Sequence, residues 1–403
     1  MVAMTVQPRV YTDVLKRHLR DHRQMAFVSG PRQVGKTTTC KEMATTYFDY
    51  DNADHRKALI AGPQAVARQI GLETLVEKPP ILVIDELHKY RRWKEFLKGF
   101  YDTYGERVRI IVTGSSRLEV YRRGGDSLMG RYFRFRMHPL TVAELLHPSP
   151  PGDEIVRPPK AISEGDFQAL LVHGGFPEPF VKRDLRFSRR WQELRKEQLL
   201  RQDVRDLTQI HELSQLEILA ELLAQRSGGQ IVYGSLAQDA GVSVDTARRW
   251  VETLAALHYG FLVRPWFRNV SRALRKEPKW FLRDWSLVSE PGARAETFVA
   301  CHLLKAAEGW SDLGLGTFEV RYVRDKEKRE ADFVVIRDRN PWVIVEVKTS
   351  ETRLAPSMVH FQKATGAPHA FQVVVDLPYV GADCFARRDP TVVPARTFLS
   401  QLF

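Results

Sequence analysis

One eight-residue segment constrains the fold of this chain more than any other: residues 30–37 read GPRQVGKT and fit the pattern GxxxxGK[ST]. The segment follows the apolar run Met25–Val28 and opens a helical pattern, which is the context of a phosphate-binding loop. Its glycines let backbone N–H groups turn toward phosphates, and the amino terminus of the helix adds positive potential. The motif therefore predicts a nucleotide site between a buried strand and a helix.

The residues of this segment have distinct expected roles. Lys36 brings a positive charge to the β- and γ-phosphates, and the Thr37 hydroxyl can ligate Mg²⁺. ATP and Mg²⁺ are therefore the predicted cofactors, and a chance Gly/Lys loop is the alternative. The residues expected to contact the nucleotide are Gly30, Pro31, Arg32, Gln33, Val34, Gly35, Lys36, Thr37 and Thr38.

A pair of acidic residues follows the next apolar run. Ile81–Ile84 ends in Asp85 and Glu86. In a P-loop site the magnesium ion needs a carboxylate at the carboxyl end of a buried strand, and Asp85 would lie at that position. Glu86, the next residue, is placed to polarise the attacking water as a catalytic residue. The alternative is an ordinary strand end with surface acids, which the nearby P-loop disfavours.

A polar residue also ends the run Val108–Val112. We predict that Thr113 senses the γ-phosphate, although a simple strand cap is nearly as good an interpretation. The order of P-loop, Asp-Glu pair and polar-ended strand resembles the AAA+ ATPases. That resemblance implies an arginine finger, often supplied by a neighbouring subunit of a homo-oligomer. The arginines considered are Arg117, Arg122, Arg123 and Arg131, with Arg131 as first choice and a solvated basic surface as the alternative.

Length and composition limit the classes of protein to which the chain can belong. The 403 residues suggest two to three domains, and 61 basic against 49 acidic residues give a net charge of +12. A hydrophobic fraction of 43% excludes a disordered chain. Short apolar runs predict no membrane segment, and three widely spaced cysteines are no disulfide framework, so we expect a soluble, cytoplasmic protein. The excess positive charge favours an anionic partner.

Proline- and glycine-rich breaks and changes of the hydrophobic pattern along the chain predict its domain organisation. Alternating strand-like and helical patterns predict an α/β fold, with a parallel sheet in residues 1–146 as an AAA-type P-loop ATPase domain. A Pro-rich linker and helical lid are predicted for residues 147–213. A winged helix-turn-helix is predicted for 214–270, and a second α/β domain for 271–403.

The predicted helix-turn-helix carries a candidate DNA interface. Ser243 would cap its recognition helix, residues 243–250, with small polar residues first and arginines one turn later. The stretch from Arg264 to Arg283 has seven basic residues and one acid, a net charge of +6, with aromatic residues interleaved. This stretch favours phosphate contacts, whereas the alternative is a protein-docking module in which Trp250 and Trp266 are core residues.

The carboxylates near the carboxyl terminus suggest a second metal site. Glu346 and Lys348 are two apart on a strand and share a face, and a hairpin would bring Asp332 beside them. Glu296 on the preceding helix is a third candidate carboxylate. Carboxylates with a lysine suit a divalent metal that stabilises phosphate chemistry, and the set resembles the D…ExK core of restriction-endonuclease-like nucleases. The alternative is an inherited fold with an inactive site.

The whole chain resembles a prokaryotic ATPase family that joins an AAA-type domain to a C-terminal domain of unknown function. The resemblance rests on segments spread over nearly the whole length, among them GPRQVGKTT from Gly30, ILVIDELHK from Ile81, EADFVV from Glu330 and EVKTS from Glu346. It implies ATP binding and hydrolysis by a site containing Gly35, Lys36, Thr37, Asp85 and Glu86.

Three functions remain open from the sequence. The first is an ATPase that couples nucleotide state to DNA binding and to metal-dependent cleavage. The second is an ATP-gated adaptor whose winged helix docks to a protein partner and whose nuclease fold is vestigial. The third, a small-molecule phosphotransferase, is disfavoured because a water-activating Glu86 serves hydrolysis rather than transfer.

Overall fold

The computed structural model describes residues 8–75, 77–114, 128–204, 210, 212–267 and 277–403. The chain divides into two compact units on either side of the bond between His138 and Pro139. The sequence placed its first boundary slightly later, after residue 146. None of the helices in the described ranges has the length and apolar composition that a membrane crossing requires.

The first unit is built on a five-stranded, fully parallel sheet with the order β2-β3-β4-β1-β5. Its strands are β1 (Met25–Ser29), β2 (Thr46–Asp49), β3 (Ile81–Asp85), β4 (Arg109–Thr113) and β5 (Tyr132–Arg136). Its helices are α1 (Val10–Asp21), α2 (Lys36–Lys41), α3 (Ala53–Ala61), α4 (Pro63–Gln69) and α5 (Trp93–Tyr104).

The inner strands are apolar because helices cover both faces of a parallel sheet. All five residues of β1 are buried, and so are four of the five in β3 and in β4. The predicted α/β fold with a parallel P-loop sheet is confirmed. Since all strands run the same way, the carboxyl ends of β1, β3 and β4 lie at one edge, which is where the site forms.

The second unit begins with helices and ends with a large sheet. Its first helices are α6 (Val142–Leu146), α7 (Glu164–His173), α8 (Pro177–Lys182) and α9 (Leu185–Glu197), the last continuing as a π-helical turn. Three further helices follow in the order that the sequence predicted, α10 (Leu213–Gln225), α11 (Tyr233–Ala240) and α12 (Val244–Ala256). They share one core, in which Leu219, Leu236 and Trp250 are buried.

A seven-stranded mixed sheet with the order β12-β11-β10-β9-β8-β6-β7 dominates the second unit. Its strands are β6 (Gly260–Pro265), β7 (Lys279–Leu282), β8 (Phe318–Arg324), β9 (Glu330–Arg337), β10 (Asn340–Lys348), β11 (His369–Val374) and β12 (Thr391–Pro394). The associated helices are α13 (Pro291–Asp312), α14 (Pro356–Thr365) and α15 (Ala395–Ser400).

The sheet continues into the strand pair that follows α12. β6 pairs antiparallel with β7 and parallel with β8, where Arg264 is opposite Arg321. The boundary predicted between residues 270 and 271 therefore falls between two strands that pair with each other. Within the described residues, the three helices and the sheet form parts of a single compact unit.

A buried ion pair joins α6 to α13 inside this unit. The Lys305 ammonium donates to the carboxylate of Glu144 and, at 3.0 Å, to the carbonyl oxygen of Pro139. Lys305 and Glu144 are at most 1% exposed. Because the two buried charges compensate each other, loss of one partner leaves the other charge poorly compensated.

We expect Lys305→Met to destabilise the second unit by about 3–5 kcal/mol, and Lys305→Met/Glu144→Gln to recover part of this loss. Urea unfolding followed by tryptophan fluorescence measures the effect. The signal reports mainly on the second unit, since only Trp93 of the eight tryptophans lies in the first. A double variant no more stable than the single one would contradict the charge argument.

Candidate functional site

The phosphate-binding loop connects β1 to α2 at the carboxyl edge of the parallel sheet. Gly30 has φ +147° and Gly35 has φ +100°, backbone conformations that favour glycine. A Cβ at Gly30 would also collide with the carbonyl oxygen of Met137. The first glycine of the motif is therefore fixed both by its conformation and by the close approach of the chain beyond β5.

Lys36, the first residue of α2, folds back over this loop. Its Nζ donates to the carbonyl oxygens of Gly30, at 2.9 Å, and Pro31, at 2.7 Å. The residue is 8% exposed, and burial lowers the pKa of its ammonium to about 8. A phosphate oxygen entering the loop would offer this charge a stronger partner than two neutral carbonyls.

The carboxylate of Asp85 accepts hydrogen bonds from hydroxyl groups on three other elements. Oδ2 accepts from Thr37 Oγ1 of α2 at 2.7 Å and from Tyr47 Oη of β2 at 2.8 Å. Oδ1 accepts from Thr113 Oγ1 of β4. The predicted sensor Thr113 is fully buried, and the structure places its hydroxyl on Asp85. Tyr47 was not among the predicted site residues, because a strand tyrosine carries no local signal of such a contact.

Glu86 lies at a sharp turn directly after β3. Its φ of +54° is left-handed, and its N–H donates to Asp85 Oδ1 at 3.0 Å. Its Oε2 is 3.3 Å from Lys89 Nζ and 3.5 Å from His88 Nε2. Burial raises the pKa of the Glu86 carboxyl, assisted by Asp85, while Lys89 opposes the rise. The two predicted acids are thus adjacent but differ in surroundings, with Asp85 bound to hydroxyls and Glu86 near the Lys89 ammonium.

The oxygens at Thr37 and Asp85 fit the predicted magnesium ion. A hydroxyl and a carboxylate 2.7 Å apart, next to the loop that binds phosphates, provide the hard oxygen ligands that Mg²⁺ takes together with phosphate groups. These two side chains are the ones that would hold the ion.

Arg9 supports the loop from outside the motif. Its guanidinium donates to the carbonyl oxygen of Val34 and, at 2.6 Å, to that of His138, and the residue is 6% exposed. It therefore ties the phosphate loop to the segment after β5. No motif in the sequence marks Arg9, since its two partners lie 25 and 129 residues away.

The first-choice arginine finger lies elsewhere in the unit. Arg131 immediately precedes β5, and its carbonyl accepts from the N–H of Met25 at the start of β1. It is therefore at the amino edge of the sheet, opposite the phosphate loop, and pairs with Asp102 at 2.7 Å. The structure does not bring Arg131 together with the P-loop of its own unit. Arg117, Arg122 and Arg123 lie outside the described residues.

Two of the predicted carboxylates of the second unit, Glu296 and Asp332, lie around a lysine together with Glu330, which was not predicted. Nζ of Lys279 is 2.9 Å from Glu296 Oε1, 2.6 Å from Glu330 Oε1 and 3.6 Å from Asp332 Oδ1. Across the described ranges, no three His, Cys, Asp or Glu side chains are arranged to hold a metal ion. Asp332 lies near both Glu296 and Glu346, since its charge contributes to raising the pKa of each, and the Lys279 ammonium lies beside Glu296 and Asp332. The assignment of Glu296, Asp332 and Glu346 to a metal site stays a prediction.

Glu346 and Lys348 do share a face of β10, as predicted. Lys348 Nζ donates to Glu346 Oε1 at 2.7 Å, while Asp332 Oδ2 accepts from the N–H of Val347 at 2.8 Å. The other carboxylate oxygen of Glu346 is buried without a hydrogen-bond partner. Burial raises the pKa of Glu346, and Asp332 adds to the rise.

The helix predicted to contact DNA presents a mixed outer face. Ser243 caps α12 by accepting from the N–H of Thr246 at 3.1 Å, as the sequence predicted. Arg248 and Arg249 are exposed, whereas Trp250 is 1% exposed in the core. Trp266 is partly buried against the sheet.

The basic stretch after this helix is less open than its composition suggested. Lys279 and Arg283 are buried, and Arg264 pairs with Glu252 at 2.8 Å. The described part of the stretch therefore does not form the anion-facing surface that the sequence suggested. The other basic residues lie outside the described ranges: Arg268, Arg272, Arg275 and Lys276.

The lowered pKa of Lys36 predicts a pH dependence of nucleotide binding. Above about pH 8 the free protein loses the ammonium charge that attracts phosphates, so ADP affinity should fall by up to about tenfold per pH unit. Calorimetric titration with ADP between about pH 7 and about pH 9.5 measures this. Lys36→Arg, whose guanidinium stays charged, is the control and should flatten the profile. Parallel profiles for the two proteins would contradict the assignment.

Comparisons with known proteins agree with the geometry of the first unit. Residues 22–146 match a family described as an AAA domain. Residues 164–291 match a domain of unknown function (DUF8612), and residues 291–396 match another (DUF4143). Uncharacterized proteins Mb2031c of Mycobacterium bovis and Rv2008c of Mycobacterium tuberculosis are 24% identical over 290 residues. The alignment covers 71% of this chain and 59% of each relative, so the chain spans little more than half of their length.

Solved structures are similar at low identity. The Aeropyrum pernix ORC1 protein in complex with DNA is 14% identical with a TM-score of 0.30, covering 72% of this chain and 91% of that one. AMPPCP-bound DnaA from Aquifex aeolicus is 14% identical with a TM-score of 0.29, covering 61% and 88%. With its parallel sheet, phosphate loop and matched AAA domain, the first unit has an AAA-type ATPase-like fold.

Proposed function

We propose that this chain is a Mg²⁺-dependent ATP hydrolase. The observation that carries the proposal is the meeting of Lys36, Thr37, Asp85 and Glu86 at one edge of the sheet, where Thr37 and Asp85 are 2.7 Å apart. Binding of a nucleotide alone would require the loop and its lysine. A second acid beside the magnesium carboxylate supports hydrolysis in addition.

Each residue has a distinct part in the proposed reaction. The loop N–H groups and Lys36 bind the β- and γ-phosphates, and Lys36 exchanges the carbonyls of Gly30 and Pro31 for phosphate oxygens. Magnesium, when bound, supplies neutralisation of phosphate charge. Glu86 orients a water molecule and takes its proton, a role that the raised pKa of its carboxyl favours.

Through the hydroxyl partners of Asp85, binding or hydrolysis of the nucleotide would change the hydrogen bonds that β2 and β4 make to this carboxylate. When Thr37 and Asp85 hold magnesium, their mutual hydrogen bond must be exchanged. Tyr47 and Thr113 then have to adjust to the same carboxylate from β2 and β4. The predicted homo-oligomer, with Arg131 acting on a neighbouring subunit, remains part of this proposal.

Two substitutions separate binding from hydrolysis. Lys36→Ala removes a charge-assisted hydrogen bond worth about 1.5–3 kcal/mol, so ADP affinity should fall about 10- to 100-fold. Glu86→Gln should leave ADP affinity nearly unchanged and lower ATP turnover about 100-fold or more, since it removes the base. Phosphate release and ADP titration measure the two effects, with the exposed Glu95→Gln as control. Full turnover by Glu86→Gln would contradict the proposed role.

A second candidate function is nucleic-acid binding by the second unit. The exposed arginines 248 and 249 of α12 favour it, because they lie on the side of the helix opposite Ala247, Trp250 and Val251, which are buried. Basic side chains on an exposed helix that begins with small polar residues suit contacts with DNA. The same face would serve a protein partner in the adaptor alternative.

Salt dependence distinguishes these alternatives. We expect Arg248→Ala/Arg249→Ala to weaken binding to duplex DNA and to reduce the slope of log affinity against log salt by about two. The matched control is Arg189→Ala/Arg190→Ala, an exposed arginine pair on α9. ATP turnover with and without duplex and single-stranded DNA tests the coupling. DNA affinity that ignores both salt and the α12 substitutions would favour the adaptor.

A further inference from the structure

Lys279 is a buried charge that the proposed ATPase does not use. It is the first residue of β7, and its side chain is only 5% exposed. Three carboxylates face its ammonium, Glu296 from α13 and both Glu330 and Asp332 from β9. Two of the three are within 3.0 Å of the nitrogen, which is direct hydrogen-bond distance.

Acids this close together repel one another when they are ionised, and a cation among them relieves the repulsion. Burial raises the pKa of Glu296 to about 8, and the charge of Asp332 contributes to the rise. Although burial alone would lower the pKa of Lys279, the carboxylates of Glu296, Asp332 and Glu330 raise it above its ordinary value. The lysine is therefore charged, and it compensates acids that would otherwise repel one another.

The cation in a carboxylate cluster of this kind can be a metal ion or an organic ammonium. Magnesium takes oxygen ligands at about 2.0–2.1 Å in near-octahedral geometry, so its ligands must be free to point at it. Here Glu296 Oε1 and Asp332 Oδ1 face Lys279, Asp332 Oδ2 accepts from Val347, and Glu346 Oε1 accepts from Lys348. These four oxygens face nitrogen donors, while Glu346 Oε2 is buried without a hydrogen-bond partner. One uncommitted oxygen does not by itself provide the ligand set that magnesium takes.

We infer that the ammonium of Lys279 takes the place of a divalent cation in this cluster, so that the second unit carries an internal counter-ion instead of a metal site. The cluster then joins β7, β9 and α13 rather than activating water for phosphodiester cleavage. This goes beyond the proposed ATPase, and it replaces the metal-dependent cleavage considered from the sequence.

Mn²⁺ binding to the nucleotide-free full-length chain tests this inference. Electron paramagnetic resonance counts bound Mn²⁺ in the parent, in Lys279→Met and in Lys279→Arg. We expect Lys279→Met to bind one more Mn²⁺ per chain than the parent, and Lys279→Arg to match the parent. Since the P-loop is the same in all variants, the difference reports on the second unit alone.

Carboxylate substitutions provide the matched controls. Asp332→Asn in the Lys279→Met background should abolish the additional Mn²⁺, whereas Asp332→Asn in the parent should change nothing. The thermal unfolding temperature should fall in Lys279→Met and rise again with Mn²⁺, while that of the parent should not respond.

Two results would overturn the inference. One is a parent chain whose Mn²⁺ is lost on Asp332→Asn or Glu296→Gln, because the lysine would then coexist with a metal. The other is a folded Lys279→Met that gains no Mn²⁺. If Lys279→Met does not fold, the parent and its two carboxylate variants still decide the question, because all three keep the lysine.

Discussion

The first unit depends on one carboxylate, that of Asp85. Its two oxygens connect α2, β2 and β4 to the end of β3 through three hydroxyl groups. Hydrogen bonds to a charged acceptor contribute about 1.5–3 kcal/mol each, so this contact fixes where the magnesium ligand lies relative to the phosphate loop. Its hydrogen-bond partners are neutral hydroxyl groups, so a metal ion that replaces one of them leaves no unpaired charge on that partner.

The carboxylates around Lys279 in the second unit show the opposite arrangement. Their main partner is the charged Lys279, which is held on a strand and nearly removed from solvent. Withdrawing a charged partner from a buried cluster is far more costly than exchanging a hydroxyl. Carboxylates therefore have partners that a ligand can replace in one unit and a partner that is costly to remove in the other. The difference lies in the charge of the neighbouring groups.

The sequence predicted those parts of the structure that contiguous residues encode. The phosphate loop, the strand ending in Asp85 and Glu86, and the cap at Ser243 follow from local patterns and are found. Tyr47 and Arg9 escaped prediction because their contacts join distant segments. Lys279 was counted within a basic stretch, since only the folded chain brings this residue of β7 against Glu296 of α13 and Glu330 of β9.

The continuity of β6 with both β7 and β8 has a consequence for how the second unit can be divided. A fragment beginning at residue 271 would keep β7 but lose β6, so β8 would become an uncovered sheet edge. Unpaired N–H and C=O groups along such an edge recruit strands from other molecules. A break in the chain between β6 and β7 would thus yield an aggregation-prone piece, and the three helices and the sheet can be inherited or exchanged only together.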